Sequence, residues 1–145
     1  MGVRLMYGRH VLEALAELSP ESVHCVVTSP PYWGLRNYSL PPQVWGGQPE
    51  CEHEWGEPTR TPWANSVPGP SKNVPKNTRE DGGHWKPKET GPLCLRCSAW
   101  RGSLGLEPTL ELYVEHLVAV FREVRRVLRD DGTLYVNIGG SGAGG

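Results

Sequence analysis

The stretch VHCVVTSPPYW occupies residues 23 to 33 and decides how the rest of the chain is interpreted. Its first six residues are almost all apolar, which is typical of a strand covered on both faces of a parallel sheet. Two prolines follow Ser29, and a proline restricts the residue before it to extended backbone and carries no N–H of its own. The sequence therefore predicts a rigid edge that presents a hydroxyl group, carbonyl acceptors and the rings of Tyr32 and Trp33.

The segments on either side of this stretch carry strand and helix patterns. Val3 to Tyr7 is an apolar run that predicts a strand, and residues 11 to 18 place apolar side chains on one helical face. Thr109 to Arg129 predicts a long amphipathic helix with Thr109 as its N-cap, and Thr133 to Ile138 predicts a strand after the turn at Asp131-Gly132. The order of these elements predicts an α/β fold, a partial Rossmann-like sheet of about three parallel strands with two helices.

Proline and glycine are concentrated in the middle of the chain and at its end. The sequence holds 14 prolines and 18 glycines, too many for a compact domain of 145 residues. We expect residues 1–46 and 104–139 to form one domain, residues 47–103 an irregular insert, and residues 140–145 a glycine-rich tail. Ligands of parallel sheets bind beyond the carboxyl ends of the strands, where Ser29 to Trp33 are expected to lie.

The charge and the cysteines restrict the class of protein. A net charge of −1 is weak support for nucleic-acid binding, because phosphate contacts normally need a basic face, but it leaves room for a local basic patch. The chain has no apolar run long enough to span a membrane, and its first ten residues lack the apolar stretch of a secretory signal. We therefore expect a cytoplasmic protein, in which four cysteines indicate metal ligation or free thiols rather than disulfides.

Two pairs of possible metal ligands lie at the ends of the predicted insert. Cys51 and His53 form a C-x-H pair, and Cys94 and Cys97 form a C-x-x-C pair. A C-x-x-C pair can place two thiolates on one ion, and two further nitrogen or sulfur ligands complete a tetrahedral structural zinc site. Such a site would join the two ends of a loop that is too polar to bury its own core. The alternative is a set of reduced surface cysteines, and His84 can replace His53 as a ligand.

The region between these pairs mixes positive charge with indole rings: Arg60, Lys72, Lys76, Arg79, Lys86 and Lys88 interleave with Trp63 and Trp85. Such a mixture suits contact with the DNA backbone and bases. Because acidic residues nearly offset the positive charge, a solvated loop is the other interpretation.

The segment Thr28 to Trp33 resembles the catalytic motif of amino-group DNA methyltransferases, which is Ser, Asp or Asn followed by Pro-Pro and an aromatic residue. The resemblance extends to ALAELSPESVHCVVTSPPYWGLRNY and to LGLEPTLELYVEHLVAVFREVRRVLRDDGTLYVNIG. Both segments are similar to the permuted, beta-type members from bacteria and phages, in which the catalytic half precedes the cofactor-binding half. The similar parts cover residues 3–45 and 94–139, so the predicted domain is expected to be a partial methyltransferase catalytic domain.

The resemblance implies a site-specific enzyme of restriction-modification type that acts on a flipped base of double-stranded DNA. Ser29 and the carbonyl of Pro30 would hold the amino group, Pro31 would stiffen the edge, and Tyr32 would stack on the base. Trp33 would shape the wall of the pocket. In this family a serine before Pro-Pro goes mostly with N4-cytosine methylation, so Ser29 favours cytosine, with N6-adenine as the alternative.

The resemblance also implies S-adenosylmethionine as the methyl donor. Gly8, Ser29, Asn137 and Gly139 are the residues expected to border this cofactor. Catalysis would then come from alignment and polarisation, without a covalent enzyme intermediate. Cys25 lies within the predicted strand, where a packed core thiol is expected rather than a nucleophile.

Three features depart from the pattern of the family. Arg9 stands where an acidic residue usually follows the first strand, and Gly140 stands where an aspartate usually completes Asn-Leu-Gly-Asp. The Phe-x-Gly-x-Gly cofactor loop and the target-recognition region are not among the 145 residues. We therefore expect a truncated chain that is inactive alone and needs a missing C-terminal half. The rival hypothesis is a non-catalytic zinc-ribbon remnant that binds DNA or a protein partner.

Overall fold

The computed structural model of the chain describes residues 2–34, 37–59 and 90–139. Two helices and four strands follow one another within those residues: α1 Val11–Ala16, β1 Val23–Thr28, β2 Gln43–Trp45, β3 Trp100–Gly102, α2 Leu110–Val127 and β4 Leu128–Val136. Neither helix is long and apolar enough to cross a lipid bilayer. The predictions for residues 60–89, which include His84 and the mixture of basic residues and tryptophans, and for the tail 140–145 with Gly140 lie outside the described residues.

The predicted long helix is confirmed as α2. Thr109 caps it, because its hydroxyl oxygen accepts a 3.2 Å hydrogen bond from the backbone N–H of Leu112. The helix ends at Val127, two positions before the predicted end, since Leu128 already adopts extended backbone and begins β4. Its buried face consists of Tyr113, His116, Leu117, Val124 and Val127.

The two helices are joined through Arg126. Its guanidinium donates hydrogen bonds to the carbonyl oxygens of Leu18 (3.0 Å) and Leu15 (2.9 Å), at the end of α1. The last carbonyl groups of a helix have no hydrogen-bond donor within the helix. At the end of α1, the guanidinium of Arg126 provides the missing donors.

The parallel sheet consists of β1 and β4 in the described residues. The ladder runs regularly from the pair Cys25 and Thr133 to the pair Thr28 and Val136. Its register shifts before Cys25, and the predicted turn at Asp131-Gly132 lies within this irregular part of β4. Because the strands are parallel, their carboxyl ends meet, and the N–H of Asn137 donates a 2.9 Å hydrogen bond to the carbonyl of Thr28.

The predicted strand at Val3 to Tyr7 is wrong, so the sheet has two parallel strands in the described residues rather than about three. Val3, Leu5 and Tyr7 are exposed and gain no packing that would favour a sheet ladder. Instead, Arg4 within this segment and Arg9 just after it both form ion pairs with Glu17, which follows α1.

The expectation that β1 is covered on both faces is also wrong. Residues along it alternate irregularly between partly buried and exposed, and Val27 is exposed. Cys25 was predicted to be a packed core thiol, but it is exposed. The described helices cover only part of the sheet, so β1 is a half-buried strand whose apolar composition exceeds the burial it receives.

A second, antiparallel sheet is formed by β2 and β3. It places Trp45 opposite Trp100, and both indoles are buried. Two isolated antiparallel bridges lie beside it, one between Leu93 and Trp100 and one between Trp55 and Cys94. The region around the predicted insert is therefore more regular than expected, whereas the division at residues 46/47 and 103/104 stays a prediction.

Candidate functional site

The Ser29–Trp33 segment lies at the carboxyl end of β1, next to the end of β4. Ser29 is exposed, while the hydroxyl of Tyr32 donates a 3.3 Å hydrogen bond to Oδ1 of Asn137. Gly139 lies directly against the ring of Tyr32, since a Cβ there would come within 3.3 Å of Cε2. Ser29, Tyr32, Asn137 and Gly139 thus meet at one sheet edge, as the carboxyl ends of parallel strands do.

The first turn of α2 supports the backbone of the Ser29–Trp33 segment through a hydrogen bond. The hydroxyl of Tyr113 donates a 2.8 Å hydrogen bond to the carbonyl of Pro31. Burial raises the pKa of the Tyr113 hydroxyl, and the charges of Glu107 and Tyr32 add to the effect, so the hydroxyl keeps its proton as a donor. The acceptors predicted for an amino group, the Ser29 hydroxyl and the Pro30 carbonyl, do not include the carbonyl that Tyr113 engages.

A buried loop before α2 forms a second support. The indole N–H of Trp33 donates a 3.0 Å hydrogen bond to the carbonyl of Glu107, and the N–H of Gly34 donates a 2.8 Å bond to the carbonyl of Gly105. Gly105 has a φ of +90° and packs against Pro31, because a Cβ there would lie 3.0 Å from the Cβ of Pro31. Glycine is therefore required by both its backbone conformation and this close approach.

The side chain of Glu107 is fully buried and hydrogen-bonded at both oxygens. Oε2 accepts a 2.8 Å bond from the N–H of Gly105, and Oε1 lies 3.0 Å from Nδ1 of His116. Sequence reasoning missed Glu107, His116 and Tyr113 as parts of the site. The available signal was the helical spacing that places His116 on the same apolar face as Tyr113 and Leu117.

Gly8 lies on another side of the motif. It has a φ of +69° and borders a groove of about 290 Å³ that also contacts Arg9, Pro31, Tyr38 and Trp45. Gly8 and Pro31 line the same groove. Asn137 and Gly139 instead contact the motif at Tyr32.

The four predicted metal ligands come together near the Trp45–Trp100 end of the antiparallel ribbon that β2 and β3 form. The ligand atoms of Cys51, His53, Cys94 and Cys97 all lie within 4.8 Å of one another. The sulfurs of Cys51 and Cys94 are 3.9 Å apart, and Sγ of Cys97 is 3.4 Å from Nδ1 of His53. Two thiolates on one tetrahedral zinc are about 3.8 Å apart, given the usual Zn–S bond length. The three sulfurs and one nitrogen therefore fit a structural zinc ion.

The backbone around Cys94 folds into a tight turn that brings the C-x-x-C thiols together. The N–H of Arg96 points at the sulfur of Cys94 (3.4 Å), and the N–H of Ser98 donates a 3.1 Å bond to its carbonyl. Gly47 passes next to this turn with a φ of +76°, and a Cβ there would lie 2.8 Å from Sγ of Cys97. The glycine after β2 is what leaves space for the cluster.

The thiols of the cluster differ in acidity. Burial opposes ionisation of Cys94, but hydrogen bonds from the backbone of Arg96 and Cys97, and from His53, outweigh it and lower its pKa to about 6. Burial and hydrogen bonds with Cys97 and Cys94 raise the pKa of Cys51 to about 11. A divalent cation bound by the four residues would favour the ionised form of both thiols, because a thiol that ligates a metal is deprotonated.

Comparison with known proteins connects this geometry to a family. The N6/N4 methyltransferase profile, described as DNA methylase, matches residues 23–144. The Type II methyltransferase M.XycI of Xanthomonas campestris pv. cyanopsidis is 31% identical over 134 residues, which are 92% of this chain and 25% of that protein. M.SmaI of Serratia marcescens is 31% identical over 129 residues, 89% of this chain and 24% of the relative.

A third relative, the Type II methyltransferase M.Cfr9I of Citrobacter freundii, is 29% identical over 138 residues, or 95% of this chain and 26% of its own length. The chain thus spans about a quarter of the length of the curated relatives it matches. No solved structure shows significant similarity to it. The profile match over most of the chain and the identity to these relatives show that the chain belongs to the N6/N4 family of amino-group DNA methyltransferases.

Proposed function

We propose that the chain is the catalytic part of a site-specific Type II DNA methyltransferase that modifies an exocyclic amino group, with N4 of cytosine favoured over N6 of adenine. The observation that carries the proposal is the position of Ser29 to Tyr32 at the carboxyl edge of β1, braced by Tyr113 through Pro31. The relatives, named Type II methyltransferases, support the same reaction class. The permuted order, with the catalytic motif first, is part of the proposal.

The chain's own residues would align the acceptor. The Ser29 hydroxyl and the Pro30 carbonyl accept hydrogen bonds from the amino group of a flipped base, which orients the nitrogen lone pair. The ring of Tyr32 covers the face of the base, and Trp33 closes the pocket wall. S-adenosylmethionine supplies, when bound, an electrophilic sulfonium methyl group for in-line transfer. Positioned acceptors of this kind raise the rate without a covalent enzyme intermediate.

We propose that Gly8, Ser29, Asn137 and Gly139 border the methyl donor. The space that Gly139 leaves beside Tyr32, and the groove that Gly8 borders near Pro31, support this assignment. Arg9 cannot accept a hydrogen bond from the donor, and it pairs with Glu17 instead. The proposal therefore assigns the remaining cofactor contacts to a missing C-terminal half, without which the 145 residues do not transfer methyl groups.

A structural zinc ion held by Cys51, His53, Cys94 and Cys97 is the second part of the proposal. The donor set and its mutual distances support it. The ion would close the loop between the two pairs and hold the ends of the β2–β3 ribbon together. We also assign the protein to the cytoplasm of a bacterium or a phage-infected host, where DNA and S-adenosylmethionine occur together.

Labelled methyl transfer tests the proposed reaction. The product of the complete reading frame that contains this chain is incubated with labelled S-adenosylmethionine and mixed-sequence DNA, beside residues 1–145 alone. We expect label in the DNA with the complete product, none with residues 1–145, and none with Ser29→Ala in the complete product. Nucleoside chromatography then identifies N4-methylcytosine or N6-methyladenine.

The rival function is a non-catalytic zinc ribbon that binds DNA or a protein partner, and the absence of a carboxylate at Arg9 favours it. Calorimetry with S-adenosylmethionine separates the two functions. A folded complete product that binds no S-adenosylmethionine and transfers no label would support the rival and contradict the proposed reaction.

A further inference from the structure

A buried pair of ionisable side chains lies behind the Ser29–Trp33 segment. Glu107 is 0% exposed and His116 is 4% exposed, and Oε1 of Glu107 lies 3.0 Å from Nδ1 of His116. Carboxyl groups are rarely buried completely unless they are paired, because removing them from water is unfavourable. An ionised carboxyl group only accepts hydrogen bonds, so in that state the proton between the two groups belongs to Nδ1.

Glu107 is linked to the segment by main chain and side chain together. Its carbonyl accepts the indole N–H of Trp33, and its carboxyl group holds the N–H of Gly105 at 2.8 Å. Gly105 in turn accepts the N–H of Gly34 and packs against Pro31. A rotation of the Glu107 side chain would therefore disturb the loop that holds residues 31 to 34.

His116 is itself fixed by two aromatic rings from the β2–β3 ribbon. Its ring centroid is 5.2 Å from that of Trp45 and 5.7 Å from that of Trp100, with interplanar angles of 28° and 22°. The two indoles pack against the imidazole, and the Nδ1 contact ties the same ring to Glu107. The residue before Trp100 is the buried Ala99, whose carbonyl accepts the N–H of Cys94.

We propose that Glu107 and His116 are positioning residues for methyl transfer: the hydrogen bond between them holds the 105–107 loop, and the loop holds Pro31 to Trp33 in the conformation that presents the amino-group acceptors. The inference rests on the proposed function of that segment. Because His116 packs against Trp45 and Trp100, the proposal also connects the β2–β3 ribbon to the Ser29–Trp33 segment. Neither residue touches the substrate in this role.

Hydrogen exchange on the ¹⁵N-labelled chain tests the positioning directly. The probes are the indole N–H of Trp33 and the amide N–H of Gly34 and Gly105, with the Asn137 amide as a reference in the parallel sheet. His116→Phe keeps a ring against Trp45 and Trp100 and removes the donor, whereas His116→Asn keeps a donor near the position of Nδ1 and removes the ring. We expect His116→Phe to speed exchange at the probes about tenfold relative to Asn137, and His116→Asn to change this ratio less than about threefold.

A purely structural pair gives the opposite pattern. If the two variants accelerate exchange equally at the probes and at Asn137, or if His116→Asn is the more disruptive at the probes, the positioning role is wrong. His116→Phe leaves the carboxyl group of Glu107 buried without its partner and can prevent folding. The double variant Glu107→Gln/His116→Phe buries no charge, and it must show the same local acceleration for the inference to stand.

Kinetics of the complete reading-frame product give a second readout. We expect His116→Phe to lower kcat about tenfold or more while KM for DNA stays within about twofold, because misplaced acceptors affect the reaction rather than binding. An unchanged kcat in a folded variant contradicts the inference. The exchange experiment needs neither DNA nor methyl donor, so failure of the proposed methyl transfer and failure of the positioning role are separate results.

Discussion

The hydroxyl of Tyr113 and the carbonyl of Pro31 form a 2.8 Å hydrogen bond across 82 positions of sequence. The bond joins the first turn of α2 to the second proline of the motif, at a point where the backbone lacks an N–H. It also consumes one of the few acceptors of the segment, so the acceptors proposed to meet the substrate are those of Ser29 and Pro30.

Tyr113→Phe tests the contribution of this bond to stability. The ring stays, but the carbonyl of Pro31 loses a partly buried donor, and we expect the free energy of unfolding to fall by about 1 kcal/mol. Urea unfolding followed by circular dichroism measures the change. Tyr135→Phe is the matched control, because Tyr135 is 61% exposed on β4 and its removal should change stability by less than about 0.5 kcal/mol. Equal losses in the two variants would contradict the prediction.

Metal content tests the cluster. We expect the purified chain to hold about one equivalent of zinc, and Cys94→Ser to reduce this below about 0.1 equivalent, because a structural site needs all four ligands. Cys25→Ser is the control, since Cys25 is exposed in β1 and lies outside the cluster. Elemental analysis after dialysis gives the content. A folded chain without metal, or equal loss in the two variants, would end the zinc proposal.

Stability at mildly acidic pH should depend on His10. Its Nδ1 accepts the N–H of Leu12 and caps α1. Burial lowers the pKa of His10 from its ordinary value of 6.5; the Glu13 charge and a hydrogen bond with the backbone of Val44 oppose this effect, and His116 adds to it. The folded chain therefore binds the proton less readily than the unfolded chain. The corresponding stability is present above pH 6.5 and is lost as the pH falls below it.

His10→Asn isolates this effect, because asparagine is a good N-cap and does not titrate. Between about pH 7.5 and about pH 5 we expect the wild-type chain to lose more stability than the variant, because the unfolded chain takes up the His10 proton more readily than the folded chain. Thermal unfolding at several pH values provides the comparison, with His24→Asn on the exposed side of β1 as the control. Parallel pH profiles for wild type and His10→Asn would contradict the prediction.

Sequence patterns correctly predicted the elements that form through contacts between residues close together in the sequence. Thr109 caps α2 as expected, and the rule for parallel strands correctly brought Ser29 and Asn137 to one edge. Val3 to Tyr7 carries the same kind of apolar run as β1 but forms no strand, since a strand also needs a partner and a covering layer. The prediction of a strand at Val3 to Tyr7 failed because the sequence of one segment does not show whether a partner strand is available.

The candidate site divides in the same way. The Cys/His cluster was predictable because C-x-x-C is a local spacing, and its four residues do come together. The support from Glu107 and His116 was not predicted, because its meaning depends on contacts with Trp33 and with the ribbon tryptophans that are distant in sequence. Helical spacing could have placed His116 on the apolar face, but it could not show what the imidazole binds.

The two glycines after β2 allow a matched test of packing around the cluster. Gly46 and Gly47 have φ values of +64° and +76°, so alanine at either position adopts a left-handed conformation that costs about 1 kcal/mol. At Gly46 nothing lies within 4 Å of the added Cβ, whereas at Gly47 it would lie 2.5 Å from the Cβ of Ala99 and 2.8 Å from Sγ of Cys97. We therefore expect Gly47→Ala to lose about 2 kcal/mol more than Gly46→Ala.

Urea unfolding of the zinc-loaded chain and competition with a chelator measure this difference. The Gly47→Ala chain should release zinc more readily than the Gly46→Ala chain, because the added methyl group pushes on a ligand sulfur and on the turn that carries it. Since both variants share the same backbone penalty, any excess in Gly47→Ala reports the contact alone. Equal stability and equal zinc retention in the two variants would mean that the loop after β2 does not pass against the Cys94–Cys97 turn, and the proposed connection between cluster and ribbon would fail with it.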